Sequence, residues 1–364
     1  MHKEESERRD FLPNLFADLA EYNVEFILEE DYGKKLGYTQ QDYLSVNSKV
    51  SFAPHDDVYK CDMIIVLRAP DDDELMLMKP NSILISMLHY ETRETRNKLL
   101  RKRNIYCYSM DAFTDDDNNR IMVNYRGTSK TGSKVAFEEL KKRMPDFLDR
   151  NRKPINVSII GLGSVASFCA KAFEDLSDAE FTNNHPEVPG LIVRMLPRTI
   201  TKSYDTMKDI LIDTDILVDA SKRPDPSKII VPNDLLKYLP QHAVILDLTA
   251  DPYNTNITPI QVKGIEGIPT GTLDKYVINV DDPIYESVPK SLNSSNRRLV
   301  VSCNAWPGVD AKDCMHIYGR QILPLLQILL EKDYKKLSIN SKNLYERSLV
   351  RASLEYYTIH KSKK

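Results

Sequence analysis

The chain has 364 residues, enough for two or three domains with cores of their own. At 41% hydrophobic and 28% charged residues its composition is globular, and a net charge of −3 gives no reason to expect nucleic acid or a membrane surface as partner. The five cysteines, Cys61, Cys107, Cys169, Cys303 and Cys314, are scattered without a C-x-x-C pair, which points to reduced thiols and to neither a disulfide framework nor a metal site.

The opening HKEESERRD is too charged for a signal-peptide core, so a cytoplasmic location is expected. An amphipathic helix is predicted around Leu15 to Tyr22, then the short strand VEFILE, a helix at Gln40 to Val46 and a strand at Met63 to Leu67. SILISML at 82–88 reads as a fully buried parallel strand. Thr92 to Arg103 reads as a helix whose basic last turn suits the helix dipole, and NIYCYSM as another strand. TDDDNNR at 114–120 is a polar loop, and Lys134 to Arg150 is predicted as one long helix. Its tail, MPDFLDRNRKP, is a charged, proline-marked joint. A second α/β series follows: INVSIIG, LIVRML, TDILVDA and HAVILDL, then a strand at Arg298 to Cys303. Helices are predicted at Asp310 to Leu330 and Asn340 to Tyr357. The apolar stretch Ile322 to Leu330 contains Pro324 and Gln327 and is too short to span a membrane.

This alternation predicts an α/β protein of two Rossmann-like, doubly wound parallel-sheet domains separated by a cleft. The expected boundaries give a discontinuous substrate domain of residues 1–134 plus 312–364, and a dinucleotide-binding domain of 135–311.

VSIIGLGSVASFCAKAF supplies the G-x-G-x-x-G/A pattern in its required setting, a strand before and a helix after. Gly161 makes the tight turn, Gly163 lets backbone approach a pyrophosphate, and Ala166 is small enough for helix–strand packing. Ser164 and Val165, at the start of the helix, join them as expected cofactor-binding residues, with Ser221 after the strand TDILVDA. The next strand, LIVRML, is delayed by the insertion SDAEFTNNHPEVPG and ends in Pro197-Arg198 with no acid. Arg198 there favours the 2′-phosphate of NADP over the 2′-hydroxyl of NAD, or it is an ordinary solvated arginine.

In order, these motifs resemble the alanine dehydrogenase and pyridine nucleotide transhydrogenase family, with N-(carboxyethyl)ornithine synthase and lysine-forming saccharopine dehydrogenase as relatives. KEESERRDFLPNLFADL resembles the family start, which places Arg9 on its substrate-carboxylate arginine. VEFILEEDYGKKLGYTQQDYL, CDMIIVLRAPDDDEL and SILISMLHYETRE resemble its acidic-glycine loop, its K-E-P turn and its strand ending in L-H. TDILVDA, AVILDLTAD and CNAWPGVDAKD resemble the strand after the glycine turn, the V-D-x-x-x-D strand and the N-M-P-G turn. The family lysine of K-E-P falls on Arg68 and the next glutamate on Ala69. The methionine of N-M-P-G falls on Trp306, which would alter the wall beside the expected nicotinamide.

The resemblance implies hydride transfer between the α-carbon of an amino acid and a nicotinamide, with a 2-oxo acid as the other small-molecule substrate. Arg9 would hold the substrate carboxylate through a bidentate fork. His89, at a strand's carboxyl end, would move protons, and Asp251 would stabilise a cationic imine or orient water. Arg68, always protonated, would polarise an oxygen or clamp a second carboxylate. Blander readings stand beside each. Arg9 lies in the charge run ERRD, His89 suits a structural role, Asp251 precedes Pro252 and suits a turn, and Asn304 either binds cofactor or shapes the turn before Pro307-Gly308. Asp247, inside its strand, reads as a structural partner. The functional readings are an NAD(P)-dependent amino-acid dehydrogenase, an opine-type reductive condensation of an amino acid with a 2-oxo acid, or a dinucleotide-binding sensor without turnover. Oligomeric state is left open.

Overall fold

The computed structural model describes residues 4–361; Lys3, which opens the family-like start, lies outside them. Two compact units divide the chain. Unit one runs from Arg8 to Asn124 and resumes at Ala311, and unit two holds Glu4–Glu7 and Tyr125–Asp310.

Unit one carries five parallel strands in two groups. β1 (Phe26–Glu29) pairs with β2 (Val50–Ala53), and β3 (Met63–Arg68), β4 (Ile83–Met87) and β5 (Tyr106–Ser109) form a sheet in the order β3-β4-β5. Ile83 to Ser86 of β4 are buried because the strand has a neighbour on each side and packing on both faces. The helix Gln40–Val46 starts on a capping box, with the Thr39 N–H donating to Asp42 at 2.6 Å and the Asp42 N–H to Thr39 Oγ1 at 3.3 Å. Phe11, Leu12, Leu15 and Phe16 share one core with Met315, Tyr318, Ile322, Leu325 and Leu326 from the helix Ala311–Glu331. The single helix predicted across 340–357 is two, Leu344–Ala352 and Leu354–Lys361. Ser353 between them is extended and bridges to Tyr108 of β5.

Unit two is a six-stranded sheet built from β6 (Ile155–Ile160), β7 (Leu191–Leu196), β8 (Ile216–Asp219), β9 (Val244–Asp247), β10 (Val277–Ile278) and β11 (Leu299–Ser302). The order is β10-β11-β9-β8-β6-β7, and only the short β10 runs antiparallel. Alternate residues feed two cores, with Val157, Ile159, Val244 and Leu246 on one face and Ile160, Leu217, Ile245 and Val300 on the other. The chain goes to one side of β6 for β7 and to the other for β8, which creates a topological switch point at the carboxyl end of β6.

The long helix spans Tyr125–Arg143, earlier than the predicted 134–150. Gly127, Ser129, Gly132 and Ser133 look like interruptions in sequence, yet all four are buried. A Cβ on Gly132 would lie 2.5 Å from Leu248, so the small residues permit close packing on β9. The helix stops because Pro145 disfavours helical backbone at Met144. Among the described residues no helix is long and apolar enough to cross a membrane.

Candidate active site

In unit one three adjacent strand ends deliver three polar groups. β3 ends on Arg68, β4 leads through Leu88 to His89, and β5 leads through Met110 to Asp111. A register shift after Ile65 sets Arg68 beside Met87, so Arg68 and His89 leave neighbouring strands at the same edge. His89 adopts a left-handed backbone, φ 49° and ψ 55°, which is uncommon for a residue with a Cβ. Asp111 holds it there. The His89 N–H donates to Asp111 Oδ1 at 3.2 Å, and His89 Nδ1 lies 3.4 Å from Asp111 Oδ2. Ser109 Oγ completes the frame, donating to Asp111 at 2.5 Å while accepting the Leu88 N–H at 3.0 Å. Burial alone would raise the Asp111 carboxyl, but His89 and Ser109 hold it well below the usual carboxylate range. The imidazole itself is 56% exposed. An exposed imidazole oriented by a mostly buried carboxylate is the geometry of a general acid/base with its orienting partner. Asp111 escaped the sequence reading; its one signal was an S-x-D step directly after a strand.

Arg9 is half-buried in a pinned segment. Its neighbour Asp10 accepts the Gly33 N–H at 2.9 Å, and the Phe11 N–H and carbonyl bond to Tyr32 and Tyr43 at 2.8 and 3.0 Å. Gly33 is required in that loop: its φ is 81°, and a Cβ would lie 2.3 Å from Tyr43 Oη. Burial pushes the Cys314 thiol up to about 12, with the nearby Arg9 charge and Tyr318 acting in the opposite direction.

In unit two the glycine turn sits at the switch point. Gly161 has φ 115°, and a Cβ there would lie 2.7 Å from the Ala220 carbonyl oxygen, so the turns after β6 and β8 press together. Gly163 precedes the helix Ser164–Ser177, which no side chain caps, and a Cβ on Gly163 would meet nothing within 4 Å. Ala166 is fully buried against the sheet. An uncapped N-terminus of a long helix with open space before it fits a pyrophosphate. Arg198 is exposed and opens a short helix, one residue after β7 and Pro197. Ser221 lies two residues past β8, its N–H donating to Asp219 Oδ1 at 3.0 Å.

Asp251 follows Ala250, whose φ is 50°, and its Oδ2 accepts from Arg223 at 2.6 Å; that guanidinium is only 5% exposed. Asn304 donates to Glu4 Oε1 at 3.3 Å, and Glu4 also accepts the Leu273 N–H at 2.8 Å. Asp247 is a structural partner: its Oδ2 meets Lys263 Nζ at 2.7 Å, with both side chains 1% exposed. Burial would raise its carboxyl, yet Lys263, Ala250 and Ser302 hold it below the usual range. No cluster of His, Cys, Asp and Glu among the described residues is suited to a metal ion.

Residues 2–125 match the model of the alanine dehydrogenase/PNT N-terminal domain. Those residues thus carry the likeness to the alanine dehydrogenase/PNT N-terminal domain. No curated protein matches the chain. Among solved structures an L-alanine dehydrogenase superposes with a TM-score of 0.71 at 16% identity, covering 97% of this chain and 92% of that one. A transhydrogenase from Sinorhizobium meliloti gives 0.64 at 12% identity, covering 97% and 94%. The alanine dehydrogenase fold therefore extends over nearly the whole chain.

Arg9, Arg68, His89 and the newly found Asp111 all fall inside the matched alanine dehydrogenase/PNT domain, whereas Asp251, Asn304 and the glycine turn lie in unit two. The expectation for Trp306 needs correction. It walls no open site: it is 2% exposed, its Nε1 donates to the Asp247 carbonyl at 2.7 Å, and its ring packs 6.1 Å from Tyr276.

Proposed function

We propose that this protein is an NAD(P)-dependent oxidoreductase acting on the CH–NH group of an amino acid. The observation that carries the reading is the exposed His89 imidazole, oriented by Asp111 at the strand edge that also presents Arg68. It stands in a chain whose other unit has an open glycine turn.

When bound, a dinucleotide would supply or take the hydride at the amine carbon. The residues do the rest. Arg9 holds the substrate carboxylate through its planar fork. His89 exchanges the proton that carbinolamine formation and breakdown require, and Asp111 keeps the ring aimed. Arg68, in the family lysine's place, supplies fixed charge to polarise an oxygen without giving up a proton. Asp251, held by Arg223, is assigned to stabilise the developing cation of the imine. Gly161, Gly163, Ser164 and Val165 take the pyrophosphate, Ser221 and Asn304 contribute further cofactor contacts, and Arg198 favours NADP.

Arg68 also favours a second reading, an opine-type condensation of an amino acid with a 2-oxo acid, because such a product carries an additional carboxylate for a guanidinium to clamp. The test is reductive amination of pyruvate, 2-oxoglutarate and glyoxylate, with ammonia and then with ornithine or lysine. Turnover with ammonia supports the dehydrogenase, and turnover only with the diamines supports the opine reaction. Dinucleotide binding without turnover on any pair, unaffected by His89→Ala, would leave a sensor.

A further inference from the structure

β8, β9 and β11 end in register on Asp219, Asp247 and Ser302, all at most 1% exposed. Lys263 enters from a loop and settles on Asp247, which Ser302 Oγ also reaches at 2.9 Å. Asp219 fares differently. Gly264 packs on it so closely that a Cβ there would lie 2.3 Å from Oδ2, and its Oδ1 accepts the Ser221 N–H at 3.0 Å. Burial and the neighbouring Asp247 push its carboxyl up to about 6. An aspartate so placed is costly to ionise, and its hydrogen bond shows what it does. The bond fixes the Ala220–Ser221 peptide, whose Ala220 carbonyl is the surface that Gly161 turns against. Asp247 repeats the device one strand over, its Oδ1 taking the N–H groups of Thr249 and Ala250 at 3.1 and 2.8 Å. The two loops thus started are joined by the Arg223–Asp251 pair.

We propose that Asp219 is a positioning residue for the dinucleotide, acting through the Ser221 amide to hold the β8 loop as the floor of the glycine turn. The proposal rests on the dinucleotide-binding reading above.

Asp219→Asn keeps an acceptor of the same length, whereas Asp219→Ala removes it. Each variant is titrated with NADH and NADPH by reduced-nicotinamide fluorescence, and hydrogen exchange is followed at the Ser221 amide. Asp219→Ala is expected to lose Ser221 protection and about tenfold in affinity, the scale of one lost hydrogen bond. Asp219→Asn is expected to retain both. If the alanine protein does not fold, Asp219→Ser replaces it, since its hydroxyl stops a bond short of the amide and the same losses are expected. A folded Asp219→Ala protein with wild-type affinity and protection overturns the proposal, as does an Asp219→Asn protein that loses as much as Asp219→Ala. Failure of the wild-type chain to bind either cofactor would instead remove the dinucleotide reading and the proposal with it.

Discussion

Replacing Lys263 by Met should destabilise unit two, and the structure sets the scale. Lys263 Nζ and Asp247 Oδ2 are 2.7 Å apart at 1% exposure, so the variant leaves a buried carboxylate without its cation. Breaking such a pair costs about 3–5 kcal/mol. The lower end applies because Asp247 keeps Ser302, Thr249 and Ala250 as donors. At a urea dependence of about 3 kcal/mol per molar, the midpoint should fall by about 1 M. Trp306, the only tryptophan, is the reporter: it is buried in unit two and bonded to the Asp247 carbonyl. The pH dependence checks the cause. In the wild type the depressed Asp247 carboxyl contributes stability above its unfolded value that is lost as pH falls. Without Lys263 the carboxyl is raised, and the variant gains stability as pH falls. The gap between the two proteins should therefore narrow toward acid. An unchanged midpoint at pH 7, or a gap independent of pH, would refute the argument that the pair compensates a buried charge.

Asp219→Asn should act the other way on stability. The raised Asp219 carboxyl makes the folded wild type lose stability as pH rises from about 4 through about 6, on the order of 3 kcal/mol for a shift from 3.8 to about 6. The asparagine protein should thus show the higher urea midpoint above pH 6 and none of the advantage near pH 4. His89→Ala should lower kcat by roughly 10²-fold with cofactor affinity unchanged. Asp111→Asn should lower kcat less and alter the pH–rate profile, because the ring remains but its orienting charge is gone. Arg68→Lys should be milder than Arg68→Ala, most visibly with dicarboxylic substrates. NADPH should bind at least as tightly as NADH, and Arg198→Ala should weaken NADPH selectively in fluorescence titrations.

Much of the architecture was legible because its signals are local. SILISML and HAVILDL are apolar runs bounded by polar residues, and the glycine turn shows strand, spacing and helix within seventeen residues. The misreadings have physical reasons. The long helix was placed at 134–150 and begins at Tyr125, because glycine is a poor helix former by itself whereas packing of Gly132 against Leu248 rewards the missing side chain. β2 and β10 have four and two residues, too few for a periodicity to register. Helix 340–357 broke at Ser353 because that residue pairs with Tyr108, far away in sequence. At the candidate site, Arg68 and His89 were singled out from motif order. Asp111 and Lys263 were not, since each is defined by a partner 22 or 16 residues distant.

Unit one's core is assembled from two separated stretches: Phe11, Leu15 and Phe16 pack with Met315, Tyr318 and Ile322, and Leu349 completes the same cluster. All of unit two's sheet lies between those stretches. During synthesis the earlier half of unit one must wait, its apolar surface uncovered, while unit two is translated and closes. At about 5–20 residues per second, the first stretch is exposed for tens of seconds before the helix 311–331 arrives. The interval makes unit one the place where a chaperone would be needed. It also makes a chain cut after Asp310 a means of isolating unit two folded, with the 8–124 segment unable to close its core.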